Sequence, residues 1–167
     1  MTILFICQSN SGRSQMAEAF FNSLSKKGRA ISAGIKPDEK IHPWTMQVMK
    51  EIGIDVSQQI PKLITNGLIK KTDKIILMDN GLLKIIPSKN LLKTENWQIE
   101  EPLGKSLNRV RKIRDEIKEK VEPGKTLAGG TEVSLSSLKP GKYTFKIKVT
   151  DRNANKSIDK TADFTVE

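Results

Sequence analysis

The stretch ILFICQSNSGRSQMAEAFF, residues 3–21, carries the most informative pattern in this chain. Residues 2–6 form a short apolar run rich in β-branched and aromatic side chains, which is typical of a buried strand. A polar loop with one glycine follows, and apolar residues then recur at helical spacing, which predicts a helix over residues 14–26. The only cysteine among 167 residues, Cys7, lies where the predicted strand meets the loop. We therefore expect the loop to have a chemical function.

The remainder of the first 122 residues continues the alternation of strands and helices. Apolar runs predict strands, and amphipathic patterns predict helices, at the following places: strands RAISAG (29–34), DKIILM (73–78) and NWQI (96–99), and helices HPWTMQVMKEIG (42–53) and GKSLNRVRKIRDEIKEKV (104–121). This alternation predicts an α/β fold with a parallel sheet covered by helices on both faces. Ligands of such sheets bind beyond the carboxyl ends of the strands, where Cys7 would lie.

The pattern changes at Pro123-Gly124, where helical periodicity stops. Residues 131–138, 142–151 and 157–167 alternate apolar and polar side chains, which predicts three antiparallel strands after a linker at 123–130. This segment resembles the last strands of an immunoglobulin-like or fibronectin-type-III sandwich, although it has fewer than half of the seven strands that such a sandwich needs. We expect its apolar face to be covered by another surface, and self-association is one way to cover it.

Composition limits the function classes. The formal charge of +10 suggests an anionic partner, for which we expect a phosphorylated substrate rather than nucleic acid, and a lysine-rich solvated surface is the alternative explanation. One cysteine excludes an intrachain disulfide, and one histidine, His42, gives no metal site, so we expect neither a metal nor a cofactor. No apolar run approaches the roughly 20 residues of a membrane span, and the chain starts without a basic leader, so we expect a soluble cytoplasmic protein.

Cys7 and Arg13 have the spacing C-x5-R, which suits phosphate chemistry. A loop at a helix N-terminus offers backbone N–H groups to an anion, and arginine bonds two phosphate oxygens at once. The positive field at such a site favours a thiolate, which is the nucleophilic form of cysteine. We therefore predict Cys7 as a nucleophile and Arg13 as an oxyanion ligand. The predicted phosphate-binding residues are Gln8, Ser9, Asn10, Ser11, Gly12, Arg13 and Ser14.

The loop stretch, together with SAGIKP, MKEIGIDVSQQ, KTDKIILMD and NWQIEEPLGK, resembles the low-molecular-weight protein tyrosine phosphatase superfamily, which includes arsenate reductases. The resemblance covers residues 1–122. It implies a four-stranded parallel sheet with flanking helices, and catalysis through a phosphocysteine at Cys7. It also implies a general acid at Glu101, before Pro102, where the family has aspartate; Glu100 is a second candidate.

Three functions remain open from the sequence. The LMD at residues 77–79 favours a phosphatase that hydrolyses phosphomonoesters, whereas NSGRSQMAEAF leans towards the arsenate reductases. Reduction of arsenate would need an external thiol, because the chain has no cysteine after the third strand to resolve an adduct on Cys7. The third function is a non-catalytic module that binds a phospho-ligand. The segments IKPDEK and EEPLGK supply no aromatic side chain, and Trp44 and Trp97 are predicted as core or supporting residues rather than as pocket wall.

Overall fold

The computed structural model describes residues 1–26, 28–122, 141–151 and 156–166. The chain divides into two compact units, Met1–Gly129 and Gly130–Glu167. The described elements of the first unit are β1 (Thr2–Cys7), α1 (Arg13–Leu24), β2 (Arg29–Gly34), α2 (Pro43–Lys50), α3 (Asn66–Lys71), β3 (Lys74–Leu77), two 3-10 helices (Asn80–Ile85 and Ser88–Lys93), β4 (Thr94–Asn96) and α4 (Leu107–Val121). The second unit contains β5 (Gly141–Asp151) and β6 (Lys156–Val166).

The first unit is built on a four-stranded parallel sheet in the order β2-β1-β3-β4. The fold class predicted from the sequence is thus confirmed. Strand β1 lies inside the sheet and bonds to β2 on one side and to β3 on the other, which is why it is apolar along nearly its whole length. Its last residue, Cys7, is paired with Gly34, the last residue of β2.

The side chains of β1 alternate between two apolar cores. Ile3 and Phe5 pack on one face with side chains of α1, α2 and α4. Leu4 and Ile6 pack on the other face with residues of α3 and of the first 3-10 helix. Burial on both faces fixes the position of β1, so the loop that follows starts from a rigid support.

Helix starts follow local chemistry. The His42 ring nitrogen accepts a hydrogen bond from the Trp44 N–H and caps α2, in agreement with its predicted place at the entrance of that helix. Thr65 caps α3, and Ser106 caps α4 by accepting from the Arg109 N–H. Helix α4 covers Leu107–Val121 of the predicted helix 104–121 and begins later than expected because Ser106 caps it, and its apolar stripe lies in the core.

Several predicted boundaries were wrong. Strand β4 is Thr94–Asn96 rather than residues 96–99, because Trp97 and Ile99 are buried beyond the end of the strand as loop residues. Helix α1 ends at Leu24 and α2 at Lys50, earlier than expected. The six-residue α3 and the 3-10 helices were not predicted, since elements this short show little periodicity.

The second unit contains an antiparallel pair, with Gly141 opposite Val166 and Asp151 opposite Lys156. These strands lie where the second and third strands of the tail were predicted. The predicted first strand, residues 131–138, and the linker at 123–130 lie outside the described residues. Across the described parts of both units, no helix combines the length and the apolar character that a membrane span requires.

Candidate active site

The loop between β1 and α1 turns around the sulfur of Cys7. Cys7 is buried at the end of β1, and α1 begins at Arg13. Asn10 adopts a left-handed backbone with φ of 50°, and its N–H donates to Cys7 Sγ at 3.2 Å. Asparagine tolerates this conformation better than most residues, so its position in the loop has a local physical reason.

A close approach of β2 supports this loop from below. A Cβ atom placed on Gly34 would lie 2.8 Å from the carbonyl oxygen of Gln8 and 2.9 Å from the backbone nitrogen of Asn10. Real Cβ atoms do not approach so closely, and therefore only glycine fits without displacing the loop. The pairing of Cys7 with Gly34 makes this contact unavoidable.

Hydrogen bonds around Asn10 leave the Ser14 hydroxyl able to donate to the sulfur. The Asn10 side-chain nitrogen donates one hydrogen to Ser14 Oγ and the other to Ser32 Oγ, each at 2.8 Å. Ser14 Oγ is thus an acceptor from Asn10, and its own hydrogen is free for Cys7 Sγ at 2.9 Å. The Asn10 N–H and the Ser14 hydroxyl therefore converge on the sulfur, and both groups can donate to a thiolate.

Arg13 is held from the opposite side of the cavity. Its side chain is almost fully buried, and Nη1 donates to the carbonyl oxygen of Ile99 at 2.8 Å. Nη2 contacts the carboxylate of Glu101 and lies 3.4 Å from Asp79 Oδ2. The segment after β4 and the end of β3 thus fix the guanidinium beside the loop.

The neighbouring glutamates have different surroundings. The Glu100 carboxylate pairs with Lys105 at 3.0 Å and with Arg109. Hydrogen bonds from Lys105 and then Arg109 lower the pKa of Glu100 below its ordinary value, which keeps this carboxylate ionised. Glu101 instead faces Arg13 across the cavity. The structure therefore separates two residues that the sequence left as alternatives.

A cavity of about 180 Å³ opens above the loop. Its lining includes Cys7, Arg13 and Glu101. Four of the six other predicted loop residues also line the cavity: Gln8, Ser9, Ser11 and Gly12. A fifth, Ser14, hydrogen-bonds to the sulfur from behind the loop. The sixth, Asn10, is fully buried and acts on the sulfur through its hydrogen bonds rather than as cavity lining. The predicted site residues thus lie together.

The aromatic prediction was half right. Trp97 is 4% exposed and packs against Phe5 with ring centroids 5.5 Å apart, as a core residue. Trp44 is 36% exposed and lines the cavity together with His42, so its assignment away from the pocket wall was wrong. The first turn of α2 points its residues at the cavity because β2, which precedes α2, lies next to β1.

The segment between β2 and α2 contributes residues that sequence reasoning missed. The N–H groups of Lys36, Asp38 and His42 donate to the carbonyl oxygens of Gln8, Ser9 and Ser11, at 3.0, 2.9 and 3.1 Å. The Ser11 hydroxyl also donates to the Asp38 carboxylate. The adjacency of β1 and β2 was the available signal, because the loops after two neighbouring parallel strands meet at one edge. Asp79, which follows β3, was also missed as a site residue, and the adjacency of β1 and β3 was the corresponding signal.

The described residues contain no group of three or more histidine, cysteine, aspartate or glutamate side chains arranged to hold a metal ion.

Comparisons with known proteins agree with this geometry. The family model described as low molecular weight phosphotyrosine protein phosphatase matches residues 2–126, and a Y_Y_Y domain model matches residues 117–167. An arsenate reductase of Staphylococcus aureus (strain N315) is 36% identical over 126 residues, which cover 72% of this chain and 93% of the relative. Arsenate reductase 1 of Staphylococcus epidermidis is 38% identical over 125 residues, covering 72% and 92%.

Solved structures show the same likeness. An arsenate reductase in the phosphate binding state is 35% identical with a TM-score of 0.65, covering 72% of this chain and 92% of that chain. A low molecular weight protein tyrosine phosphatase from T. tengcongensis is 27% identical with a TM-score of 0.65, covering 72% and 95%. Because the family model matches residues 2–126, which are most of the chain, this chain belongs to the low molecular weight phosphotyrosine protein phosphatase family.

Proposed function

We propose that this protein is a phosphatase that hydrolyses phosphomonoesters through a phosphocysteine on Cys7. In the first step Cys7 Sγ bonds to phosphorus, the bond from phosphorus to the leaving oxygen breaks, and Glu101 gives that oxygen a proton. In the second step water attacks phosphorus, the P–S bond breaks with its electron pair returning to sulfur, and Glu101 accepts the proton of the water. Arg13 and the N–H groups of residues 8–14 hold the phosphoryl oxygens.

The observation that carries this proposal is the meeting of Cys7, Arg13 and Glu101 in one cavity, with two hydrogen-bond donors on the sulfur. Glu101 is the better acid because Glu100 is occupied by Lys105 and Arg109. The Glu101 carboxylate contacts the same guanidinium that would hold the substrate, so its protonation both supplies the acid and frees Arg13. We therefore expect an acidic pH optimum.

The nucleophile is tested by Cys7→Ser with an activated aryl phosphate as substrate. Turnover should disappear, while inorganic phosphate should still bind in calorimetry because Arg13 and the loop amides remain. Arg13→Lys should lose both turnover and phosphate affinity, since lysine cannot make a two-point contact. Turnover of Cys7→Ser near the wild-type rate would refute the assignment. A folded wild-type protein that binds phosphate but hydrolyses nothing would instead support the non-catalytic phospho-ligand-binding module.

A second candidate function is reduction of arsenate with an external thiol. It is favoured by the relatives named arsenate reductase, which are 36% and 38% identical to this chain. Cys7 Sγ would bond to arsenic while one As–O bond breaks and its oxygen leaves as water, and an external thiol would then attack Cys7 Sγ. That attack forms a disulfide and leaves the electron pair of the S–As bond on arsenic, which is reduced from As(V) to As(III).

The two candidates separate in one experiment. Arsenate should act on the phosphatase as an inhibitor of aryl phosphate hydrolysis, with no arsenite formed in the presence of a small-molecule thiol. Arsenite production that depends on that thiol would establish the second candidate. Production with thioredoxin and its reductase alone is not expected, because Cys7 is the only cysteine and no internal thiol can pass a disulfide outward. A reduced thiol is needed in either case, which supports a cytoplasmic location.

A further inference from the structure

One face of the sheet in the first unit is covered by α3 and the two 3-10 helices, which lie side by side. Ile69 of α3 and Leu82 of the first 3-10 helix fill the core beneath them. The Lys93 ammonium, at the end of the second 3-10 helix, donates to the carbonyl oxygens of Ile69 at 2.8 Å and of Thr72 at 2.5 Å. The end of α3 and the 3-10 helices therefore share one outer surface.

Three leucines of the 3-10 helices lie on this outer surface rather than in the core. Leu83 and Leu91 are 42% and 44% exposed, and Leu92 is fully exposed, at 103%. A single exposed leucine is ordinary on a protein surface. Three within residues 83–92, two of them adjacent in the chain, concentrate apolar side chains where the fold itself gives them little cover.

The same part of the chain is strongly basic. Residues 61–93 contain seven lysines and two aspartates, which gives a net charge of +5, half of the formal charge of the whole chain. Lys62 and Lys74 are paired with glutamates, and the Lys93 ammonium is held by carbonyl oxygens. The other four lysines are exposed and form no ion pair within the described residues: Lys70, Lys71, Lys84 and Lys89.

The two aspartates of this segment are engaged with other groups. Asp73 accepts a hydrogen bond from the Thr2 N–H at 2.7 Å, and Asp79 Oδ2 lies 3.4 Å from Arg13 Nη2. Among the residues that the structure describes, the four exposed lysines thus keep their positive charge uncompensated around the three leucines. We call these seven residues the leucine–lysine surface.

We propose that the leucine–lysine surface docks this protein on an anionic membrane surface. Anionic headgroups attract lysine side chains, and the boundary between headgroups and acyl chains accepts apolar side chains, so a bilayer satisfies both halves of the surface at once. The phosphate backbone of a nucleic acid would satisfy the lysines but would leave the leucines in water. The attachment is peripheral and needs no spanning helix.

The inference goes beyond the proposed function and does not depend on the chemistry at Cys7, because none of the seven residues lines the cavity. The expected contribution of each residue type follows from its environment in the docked protein. A lysine beside an anionic leaflet raises the affinity for the bilayer about fivefold. A leucine whose exposed side chain enters the interface raises that affinity about tenfold.

The test is cosedimentation of the full chain with vesicles of phosphatidylcholine that contain phosphatidylglycerol, compared with vesicles of phosphatidylcholine alone. The protein should bind the anionic vesicles more tightly, and this binding should weaken as salt is added because the lysines are exposed. Leu92→Ser should weaken the binding about tenfold with no change of charge. Lys84→Gln combined with Lys89→Gln should weaken it about 20-fold.

Matched controls change the same residue types on the opposite face of the sheet, where α1 and α4 pack. Leu24→Ser changes a leucine that is 42% exposed at the end of α1, and Lys112→Gln combined with Lys118→Gln changes two exposed lysines of α4. Both controls should bind the anionic vesicles within about twofold of wild type, because charges farther than about 8 Å from the leaflet are largely screened. The thermal unfolding midpoint verifies that each variant is folded.

Absence of binding to the anionic vesicles at low salt would overturn the proposal. Wild-type affinity of Leu92→Ser would also overturn it, because the lysines would then attach to any polyanion. An equal loss of binding in the α4 lysine control would overturn it as well, because net charge alone would then explain the attraction. The assay needs no turnover, so a protein that docks as expected but hydrolyses no phosphomonoester would overturn the proposed function and leave this inference standing.

Discussion

Gly34→Ala is expected to damage the phosphate loop while leaving the α/β core folded. The added Cβ would lie 2.8 Å from the Gln8 carbonyl oxygen, about 0.6 Å inside the 3.4 Å at which ordinary contact begins. Gly34 itself cannot retreat easily. Its N–H donates to the Lys62 carbonyl oxygen at 2.8 Å, and its carbonyl oxygen accepts from the Ile64 N–H at 2.9 Å. The displacement therefore falls on the loop.

The magnitude follows from the size of that displacement. A misplacement of about 1 Å in an active site costs roughly a hundredfold in rate. A shift of about 0.6 Å in the loop should therefore lower kcat/KM for an aryl phosphate by roughly 10- to 100-fold. Overpacking typically costs about 1–3 kcal/mol of unfolding free energy, so the variant should remain folded at room temperature but unfold at a lower urea concentration.

The assay compares hydrolysis, phosphate binding and urea unfolding for Gly34→Ala and for Gly67→Ala as a matched control. A Cβ on Gly67, in α3, meets Thr65 Oγ1 at 3.6 Å, an ordinary contact. Alanine is favoured over glycine in a helix by about 0.5–1 kcal/mol, so Gly67→Ala should keep full activity and gain slight stability. If folded Gly34→Ala retained wild-type kcat/KM and phosphate affinity, the support of the loop by β2 would not matter for function.

Three further predictions concern other parts of the chain. Glu101→Gln should slow unactivated phenyl and alkyl phosphates by about 10²–10⁴-fold but activated aryl phosphates much less, whereas the same loss in Glu100→Gln alone would move the acid role to Glu100. The hydrogen bond from Arg111 lowers the pKa of Glu51 below the ordinary glutamate value of 4.5. The ionised carboxylate therefore stabilises the folded state at pH values above 4.5, and this contribution is lost as the pH falls through the lowered pKa. Glu51→Gln should accordingly lower the urea midpoint more at pH 7 than at pH 3, and an equal loss at both pH values would contradict this assignment. A chain that ends at Gly129 should keep its activity per folded molecule in a hydrolysis assay, because the predicted chemistry lies within residues 1–122 of the first compact unit; inactivity of a folded truncated chain would show that the second unit completes the site.

The sequence determined the fold class and the identity of the loop. Strand β1 is apolar along nearly its whole length because both of its faces are buried, and the C-x5-R loop follows it directly. These signals are local, because a buried strand and an amphipathic helix can both be recognised from the pattern of consecutive residues. The short elements between β2 and β4 were missed because six residues hold too few turns to show a period.

Only the tertiary structure distinguished residues that are equivalent in sequence. Glu100 and Glu101 are neighbours in one loop, and they differ because α4 brings Arg109 to the first while the second reaches Arg13. Trp44 lines the cavity, whereas Trp97 packs against Phe5 in the core. The positions of the strands that precede the two residues decide this difference.

Two partners of the Asn10 side chain, Ser32 in β2 and Lys62, come from distant parts of the chain, and the sequence offers no sign of them. Such contacts depend on which strands are adjacent and in which register, and these are decided by packing between residues that are distant in the chain. The sequence therefore supplied the candidate nucleophile and its loop, while the tertiary structure supplied the neighbours that hydrogen-bond to it.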